Sequence, residues 1–569
     1  MRELKRYCFF AGILCLAVFA KFQITGQSLA QTVEYAGADL RKEDWNPVIV
    51  EDVNQSHLTV HIDGRTYTNL DHGIYMDQGR NILIPADLVR DAFDCSVHMY
   101  EGQRLTVETK DTLLEFVCDA DGYSSNGKAR KSEQALIRNE DRLYLPFDLL
   151  AQELGYSYEW DSGNYALTAQ SAKDRTGLAY RYDLRERGRA PKVKDQGPYG
   201  TCWAFASLTA LEAAMLPEDE VQFSVDHMNQ NNSFTSPSKD GGQYTMAMAY
   251  LAAWQGPVYE ADDPYGDGVS DAALEAVRHV QDMLIIDAKD LDGIKKAVFQ
   301  YGGVESCIYT TMQSGGGESS YYNSEKYAYC YIGEEKPNHD VVIIGWDDHF
   351  PAESFQTEVA GDGAFICQNS WGTDFGEDGV FYVSYYDTNI GMHNLVFTGI
   401  EESTNYDNIY QSDLCGWVGQ LGYNKESMYG ANVFTAQADE DLAAAGFYTT
   451  GKDTDYEVFV VPEFTDTQSL DQRMSVASGR FANAGYHTVR FPQAVRINAG
   501  QKFAVVVWLS TPNAVRPMAI EYAADALTQE ADLTDGEGYI SAQGRKWADA
   551  EETSKCNLCV KAYTRYAQQ

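Results

Sequence analysis

The sequence has few basic residues, and this shortage limits the partners that it can bind. Lysine and arginine total 44 against 84 aspartates and glutamates, which gives a formal net charge of −40. Nucleic acids and anionic membrane surfaces are bound through concentrated positive charge. We therefore expect no nucleic-acid partner.

Long apolar runs are also scarce. The apolar stretch 8–20 follows three basic residues within the first six, and small residues stand at 28–30. This pattern predicts a secretory signal over residues 1–30, since thirteen apolar residues are too few to span a bilayer comfortably. An uncleaved membrane anchor is the alternative. We expect a secreted or cell-surface protein that is not integral to the membrane after signal cleavage.

Cysteine and histidine do not form a metal-binding pattern. No cluster of the two has the spacing of a zinc site, and we expect neither a metal nor a cofactor. Of the 11 cysteines, an odd number remains after signal removal, so at least one thiol is unpaired. A bridge between Cys95 and Cys118 is plausible. We interpret Cys556 and Cys559 as structural, with Cys415 as a candidate partner.

Cys202 stands at the start of a run that is rich in alanine, leucine and methionine. Residues 202–216 contain no glycine or proline, which predicts a helix that begins at or near Cys202. The positive end of a helix dipole, together with a nearby imidazolium, favours a thiolate. Cys202 is therefore a candidate nucleophile. The alternative is a small apolar residue in the core.

Partners for such a nucleophile occur at three other places. His339 precedes a β-branched apolar run, predicted to be a buried strand, and is the candidate base. Asn369 can orient His339, and Trp371 can shield that hydrogen bond from water. Gln196, with the backbone N–H of Cys202, can stabilise an oxyanion. Each also has a structural interpretation: a core histidine, a turn or a surface amide.

Taken together, these motifs resemble the papain family of cysteine peptidases. The resemblance covers roughly residues 180–400 and implies a two-lobed catalytic domain at 178–400, with one helical lobe and one lobe like a β-barrel. It also implies a protein or peptide substrate. The matching motifs are Gln196 with residues 200–205, residues 338–345, and residues 369–372 with Gly376 and Gly379.

The same resemblance implies the candidate substrate-binding residues. Gly241 and Gly242 look like the ledge that holds the substrate backbone, and Trp371 belongs to the same set. Asp340 and Cys307 are expected near the pocket for the substrate side chain one residue upstream of the scissile residue. An acidic floor there would favour a basic substrate residue. A structural role for Asp340 is the alternative.

Two copies of a short pattern, 61 residues apart, mark a separate amino-terminal region. Residues 84–89 resemble residues 145–150, and each copy is followed by a helix-like stretch and an aromatic strand. Residues 45–170 resemble the repeat domain named after the copper amine oxidase N-terminus, without a visible set of metal ligands. We expect a small α+β domain that serves as a stalk, a wall contact or an internal chaperone.

The carboxy-terminal region has a third pattern. From residue 405 many short strands alternate with glycine, asparagine and aspartate turns, which predicts a β-sandwich over residues 405–569. The region resembles the lectin-like domain of bacterial papain-like proteins, and sugar binding is implied by that resemblance alone. The fold class is therefore α+β, with a papain-like catalytic domain between a repeat domain and a sandwich.

These patterns predict a secreted bacterial cysteine endopeptidase that works through a thioester intermediate, with wall or glycan contacts through its flanking domains. One alternative is a non-catalytic surface adhesin with a relic peptidase domain. Another is a cysteine acyltransferase or amidase that acts on wall peptides. Lys173 and Arg175 lie in a basic stretch that is either a processing site or an ordinary charged linker.

Overall fold

The computed structural model describes residues 58–567, except 78–79, 101, 119, 121, 133–134, 140–141, 162–163, 172–176, 236–240 and 314–318. The predicted signal and the predicted processing residues Lys173 and Arg175 lie outside the described residues. Contacts divide the chain into two units, Met1–Ala179 and Tyr180–Gln569. Among the described residues, no helix is long and apolar enough to cross a membrane.

The repeat in the first unit forms two equivalent strand–helix pairs, and each helix begins at the third residue of its copy, earlier than predicted. Strand Ile82–Pro85 leads into helix Ala86–Phe93, and strand Arg142–Pro146 leads into helix Phe147–Leu154. A proline precedes each helix, and its fixed φ suits a helix start. The two strands pair antiparallel, with Leu145 opposite Ile84, so the two copies share one core.

The described residues of the first unit form two four-stranded sheets and one five-stranded meander. Its further elements are helix Asn69–His72 and strands Thr59–Ile62, Arg65–Thr68, Tyr75–Met76, Ser96–Tyr100, Arg104–Glu108, Leu113–Val117, Tyr123–Ser125, Lys128–Arg130, Ile137–Asn139, Tyr156–Asp161 and Ala166–Ser171.

A buried helix, Cys202–Met215, is central to the second unit. Twelve of its fourteen residues are buried, so it is apolar on all sides and packs between other elements. It contacts strands His339–Asp347 and Leu395–Glu402 and helix Tyr244–Ala252. The predicted helix start at Cys202 is confirmed.

The remaining elements before residue 403 belong to the same part of the second unit. They are helices Val225–Gln230 and Leu291–Gln300, 3-10 turns Leu184–Arg187 and Ala352–Ser354, and strands Arg181–Asp183, Arg278–Ile285, Val304–Ile308, Tyr322–Asn323, Ala328–Tyr329, Ala364–Gln368 and Val380–Ser384.

The strand that begins at His339 has paired neighbours on both sides. It runs antiparallel to Val304–Ile308, with Cys307 opposite Asp340, and to Ala364–Gln368, with Val342 opposite Gln368. Because antiparallel neighbours run in opposite directions, the start of one strand lies beside the end of the next. The sheet register therefore brings His339 next to Asn369, the residue that follows Gln368.

Two packed sheets form the carboxy-terminal part, as expected for a sandwich. A six-stranded sheet faces the far end of a sixteen-stranded sheet, and apolar side chains from both fill the space between them. The elements are helix Ala550–Ser554, the 3-10 turn Ser469–Gln472, and strands Asn408–Tyr410, Gly419–Leu421, Ser427–Thr435, Glu440–Thr449, Thr454–Val461, Met474–Phe481, Ala484–Ile497, Lys502–Ser510, Met518–Glu521, Gly538–Ser541, Ala548–Asp549, Asn557–Leu558 and Val560–Tyr566.

The larger sheet continues from the part that contains the central helix into the sandwich. Strand Arg278–Ile285 pairs with strand Leu395–Glu402 on one side and with strand Ala484–Ile497 on the other. The shared strand explains why contacts assign both parts to one unit.

The expected disulfides are wrong for the described residues, where none of the nine cysteines is in a disulfide. Cys95 is buried in the core of the first unit, and its thiol donates to the carbonyl of Val89 at 3.5 Å. Cys415 and Cys559 likewise donate to separate backbone carbonyls, at 3.4 and 3.2 Å. Each of these thiols has its own acceptor and none is bonded to a second sulfur.

A buried ion pair joins the central helix to the loop before it. Lys194 Nζ lies 2.5 Å from Glu212 Oε1, which also accepts the backbone N–H of Phe223 at 2.8 Å. Glu212 is 1% exposed. Burial raises the pKa of Glu212, and Lys194 opposes that shift. The loop that carries Gln196 is thus tied to the helix that carries Cys202.

We expect Lys194→Met to destabilise the second unit by about 3–5 kcal/mol, because it leaves a buried carboxylate without its partner. The measurement is the free energy of unfolding in denaturant. Lys502→Met is the control, since it breaks a half-exposed pair with Glu537 and is expected to cost less than about 1 kcal/mol. Equal effects of the two changes would contradict the structural role of the buried pair.

Candidate active site

Cys202 is the first residue of the central helix and is partly exposed. The backbone N–H groups of Asp340 and Trp203 point at its sulfur and favour a negative charge there. The N–H of Asp340 belongs to the residue directly after His339, so the start of the His339–Asp347 strand lies against the sulfur. The structure thus brings together the cysteine and the histidine that the sequence pairs.

His339 is fixed by an amide and an indole, as the sequence predicts. Its Nε2 lies 2.8 Å from Asn369 Oδ1, and the Trp371 ring stacks on the imidazole with centroids 4.7 Å apart. All three side chains are at most 6% exposed. Because Asn369 Oδ1 is an acceptor, it selects the tautomer with the proton on Nε2, which leaves Nδ1 free to accept a proton.

Gln196 is held by contacts at both ends of its amide. Its Nε2 donates to the carbonyl of Tyr199 at 2.8 Å, and its Oε1 accepts from the hydroxyl of Ser370 at 2.6 Å. Its backbone N–H also donates to the carbonyl of Ser370. The amide orientation is therefore defined, and the second hydrogen on Nε2 remains available for a substrate oxygen.

The sequence predicts a lowered pKa for Cys202, and this prediction is wrong when the thiol is considered without proton transfer to His339. Burial, followed by the carboxylate of Asp340, raises the pKa of Cys202 to about 12. Burial also lowers the pKa of His339 to about 4. Neither group is charged by itself at neutral pH, so a thiolate requires proton transfer to His339, which creates two opposite charges that stabilise each other.

Gly242 lies beside the indole that follows Cys202, and Gly241 precedes it in the chain. A Cβ on Gly242 would approach Trp203 Cε2 to 2.5 Å, and Gly241 has a φ of +103°, where side chains are strained. The backbone can therefore pass close to Trp203 only as glycine. This placement fits the expected substrate ledge next to the nucleophile.

Three family models match the chain in sequence. The copper amine oxidase N-terminal domain matches residues 61–169, the papain family cysteine protease matches residues 178–400, and the lectin like domain matches residues 409–564. Residues 178–400 form a papain-family cysteine peptidase domain. The domain limits 45–170 and 405–569 stay predictions, and the two flanking matches lie within them.

Two curated relatives are similar to the peptidase domain. Cathepsin L of Sarcophaga peregrina is 26% identical over 273 residues, which cover 44% of this chain and 76% of the relative. Pro-cathepsin H of Mus musculus is 26% identical over 245 residues, which cover 42% of this chain and 70% of the relative.

Two solved structures are similar to this chain over a longer span. The clostridial cysteine protease Cwp84 after propeptide cleavage has a TM-score of 0.60 at 26% identity and covers 68% of this chain and 99% of its own. A structure of the cysteine protease and lectin-like domains of Cwp84, described as a surface layer associated protein of Clostridium difficile, has a TM-score of 0.59 at 26% identity and covers 69% and 90%. The predicted α+β fold with a papain-like domain is confirmed.

The peptidase domain also holds a buried carboxylate that sequence reasoning missed. Glu305 is 2% exposed and accepts a hydrogen bond from Ser207 on the central helix at 2.6 Å. Cys307 and Asp340 are directly opposed in the sheet, and Glu305 is two residues from Cys307, so all three side chains share one face. The sequence could have revealed Glu305, because a glutamate within an apolar strand is unusual: an isolated buried charge is costly.

The two carboxylates on this face repel each other. Burial raises the pKa of Asp340 to about 7. Burial, with the nearby Asp340, raises the pKa of Glu305 well above its ordinary value. Asp340 therefore changes charge near neutral pH at a position that also contacts Cys202.

We expect Gln196→Ala to lower the kcat of the peptidase domain about a hundred- to a thousand-fold with little change in KM, because it removes a donor that acts on the developing oxyanion. Steady-state kinetics on a fluorogenic peptide measure both constants. Ser370→Ala, which removes only the bond that orients Gln196, is expected to give a smaller loss. A loss under about threefold for Gln196→Ala would remove Gln196 from the oxyanion hole.

Proposed function

We propose that this cysteine endopeptidase uses Cys202 as its nucleophile and His339 as its acid and base. The observation that carries this assignment is the bond between His339 Nε2 and Asn369 Oδ1 beneath Trp371, on a strand whose start touches the Cys202 sulfur. That bond leaves Nδ1 of His339 for the proton of the thiol. The arrangement matches what acyl transfer through a thiolate requires.

The reaction follows from these positions. The proton of the Cys202 thiol moves to His339 Nδ1, and the sulfur attacks the carbonyl carbon of the scissile bond. The oxyanion that forms accepts hydrogen bonds from the backbone N–H of Cys202 and from Gln196 Nε2. His339 then gives the proton to the leaving amine, and a thioester remains. Water, deprotonated by His339, attacks the thioester and releases the acid and the thiol.

Labelling with an epoxide directed at papain-type thiols tests the nucleophile. We expect one equivalent of label on the full chain, and none on Cys202→Ala, because Cys202 lies against the start of the strand that carries His339. Intact mass spectrometry measures the label, and peptide hydrolysis is assayed on the same samples.

Cys118→Ala is the matched control, since Cys118 is also partly exposed. It should label and hydrolyse peptides as the unchanged protein does. Labelling that survives Cys202→Ala would overturn the assignment. A protein that neither labels nor hydrolyses any peptide would favour the relic adhesin instead.

We infer that the protein works outside the cell, where its flanking domains contact the wall or glycans. The signal-like amino terminus and the net charge of −40 support export and solubility. The similarity to Cwp84, whose printed description is a surface layer associated protein, supports the same location. Sequencing the amino terminus of secreted protein tests both the signal and the processing hypothesis.

The acidic side chains near Cys307 support a proposal about the preferred substrate side chain. Asp340 and Cys307 are the candidate residues for the pocket one residue upstream of the scissile residue, and Glu305 adds a second carboxylate to the same face. Lysine or arginine in that pocket would relieve the repulsion between the two carboxylates and pair with Asp340. We propose a preference for a basic residue at this substrate position.

We expect this preference to rise as the pH rises through about 7, because Asp340 has a raised pKa and becomes negative only above it. The ratio of kcat/KM for two peptides that differ only in arginine or leucine at this position measures the preference. A charge-assisted hydrogen bond of about 1.5–3 kcal/mol predicts a rise of about tenfold or more. The ionisation of Cys202 and His339 cancels in the ratio.

Asp340→Asn is the control for the pH dependence. It keeps the size of the side chain and removes the titration, so its ratio should be low and nearly independent of pH. A ratio that changes with pH in the same way in this variant would exclude Asp340 as the group responsible.

A further inference from the structure

The residue before His339 is tied to a loop that carries an aromatic ring. Asn338 Nδ2 donates to the carbonyl of Thr310 at 2.9 Å, and Asn338 Oδ1 accepts the backbone N–H of Thr310 at 2.8 Å. The backbone N–H of Asn338 also donates to the carbonyl of Ile308, the residue directly opposite His339 in the sheet. Tyr309 lies between these contacts in the chain, so its backbone is held close to His339.

Tyr309 begins a cluster of three tyrosine rings. The centroids of Tyr309 and Tyr331 are 4.6 Å apart, and those of Tyr331 and Tyr321 are 5.0 Å apart with the rings edge to face. The hydroxyl of Tyr329 donates to the carbonyl of Tyr309 and holds its backbone. Tyr331 is 5% exposed, whereas Tyr309 and Tyr321 are partly exposed. The cluster therefore consists of two partly exposed tyrosines on a buried third ring.

A second series of rings leads from His339 to the same place. Trp371 stacks on the imidazole. Phe375 packs edge-on against Trp371 with centroids 4.9 Å apart, and Tyr322 stacks on Phe375 with centroids 5.4 Å apart. Phe375 and Tyr322 are both partly exposed. Tyr322 directly follows Tyr321 in the chain, so the two series of rings meet there.

Four partly exposed side chains thus form an aromatic rim beside the imidazole: Tyr309, Tyr321, Tyr322 and Phe375. The rim is connected to His339 through the residue before it and through the indole stacked on it. The sulfur of Cys202 instead contacts the backbone N–H of the residue after His339. The rim and the nucleophile therefore adjoin the imidazole from different directions.

The role of His339 determines which part of a substrate lies next to the rim. In the proposed mechanism His339 gives a proton to the leaving amine, so that nitrogen comes within hydrogen-bond distance of the imidazole. The acyl part stays on Cys202, next to the ledge at Gly242 and Trp203. The departing peptide therefore leaves past His339, where the aromatic rim lies.

We propose that the aromatic rim is a binding subsite for an aromatic or large apolar side chain of the departing peptide, downstream of the scissile bond. Such a side chain removes apolar area from water on both partners and packs well against aromatic rings. Ile332, which is 52% exposed and follows Tyr331 in the chain, adds apolar surface nearby. This inference rests on the proposed function, because it uses His339 as the acid for the leaving group.

Competition between amines for the acyl-enzyme tests the subsite. A peptide methyl ester acylates Cys202: the ester C–O bond breaks, and His339 gives a proton to the methoxy oxygen, so methanol leaves. An added amino-acid amide then competes with water for the thioester. When the amine attacks, a C–N bond forms, the C–S bond breaks, and a proton of the amine passes through His339 to the sulfur. Mass spectrometry of the products measures the ratio of aminolysis to hydrolysis.

We expect phenylalaninamide and leucinamide to give a ratio at least about tenfold higher than glycinamide at equal concentrations of unprotonated amine, because only their side chains reach the rim. Tyr309→Ala and Tyr322→Ala should each reduce this advantage at least about threefold, since each removes one ring. Tyr309→Phe should retain it. Tyr423→Ala is the control, because Tyr423 is 38% exposed but lies in the sandwich, and it should also retain the advantage.

Equal ratios for the three amides with the unchanged protein would overturn the subsite, and that result does not depend on any variant that has to fold. An advantage that both alanine variants keep in full would overturn it as well. In either case normal hydrolysis of the ester leaves the peptidase assignment intact. A full chain that does not hydrolyse the ester at all would contradict the proposed function and this inference with it.

Discussion

The antiparallel pairing of strand His339–Asp347 with its two neighbours is the constraint on which the active site depends. One neighbour delivers Asn369 to the imidazole, and the other places Cys307 and Glu305 on the face of Asp340. A slip by one residue in either pairing would turn each of these side chains to the opposite face. The catalytic geometry is therefore a property of sheet register, which many backbone hydrogen bonds fix together.

Burial shapes the chemistry in a second way. The same low-dielectric environment that protects the bond between His339 and Asn369 disfavours an isolated thiolate and an isolated imidazolium. It also raises the pKa of the two carboxyl groups near the reacting sulfur, those of Asp340 and Glu305. The charge state of the cleft is thus set jointly by groups that cannot ionise independently, and a basic substrate side chain would change that balance when it binds.

Local patterns in the sequence were enough for the elements that bear catalytic side chains. The helix at Cys202 and the strand at His339 follow from composition and periodicity, and the structure has them where they were predicted. The repeat was also visible, although its two helices begin earlier than predicted. Properties that depend on residues distant in sequence could not be predicted. The approach of Glu305 to Asp340 depends on strand register, and the pKa of Cys202 depends on burial. The sequence also could not show that the expected disulfides are absent, because a disulfide requires two thiols that are close in space.

The strand shared by the catalytic part and the sandwich has a consequence for how the protein can be divided. Met283, Leu284 and Ile285 pair with Ala484–Ile497, so these residues are interior to the sheet only while the carboxy-terminal part is attached. A fragment cut after residue 402 would expose their backbone donors and acceptors as an open edge, ready to pair with another molecule. The carboxy-terminal part therefore covers this edge of the sheet.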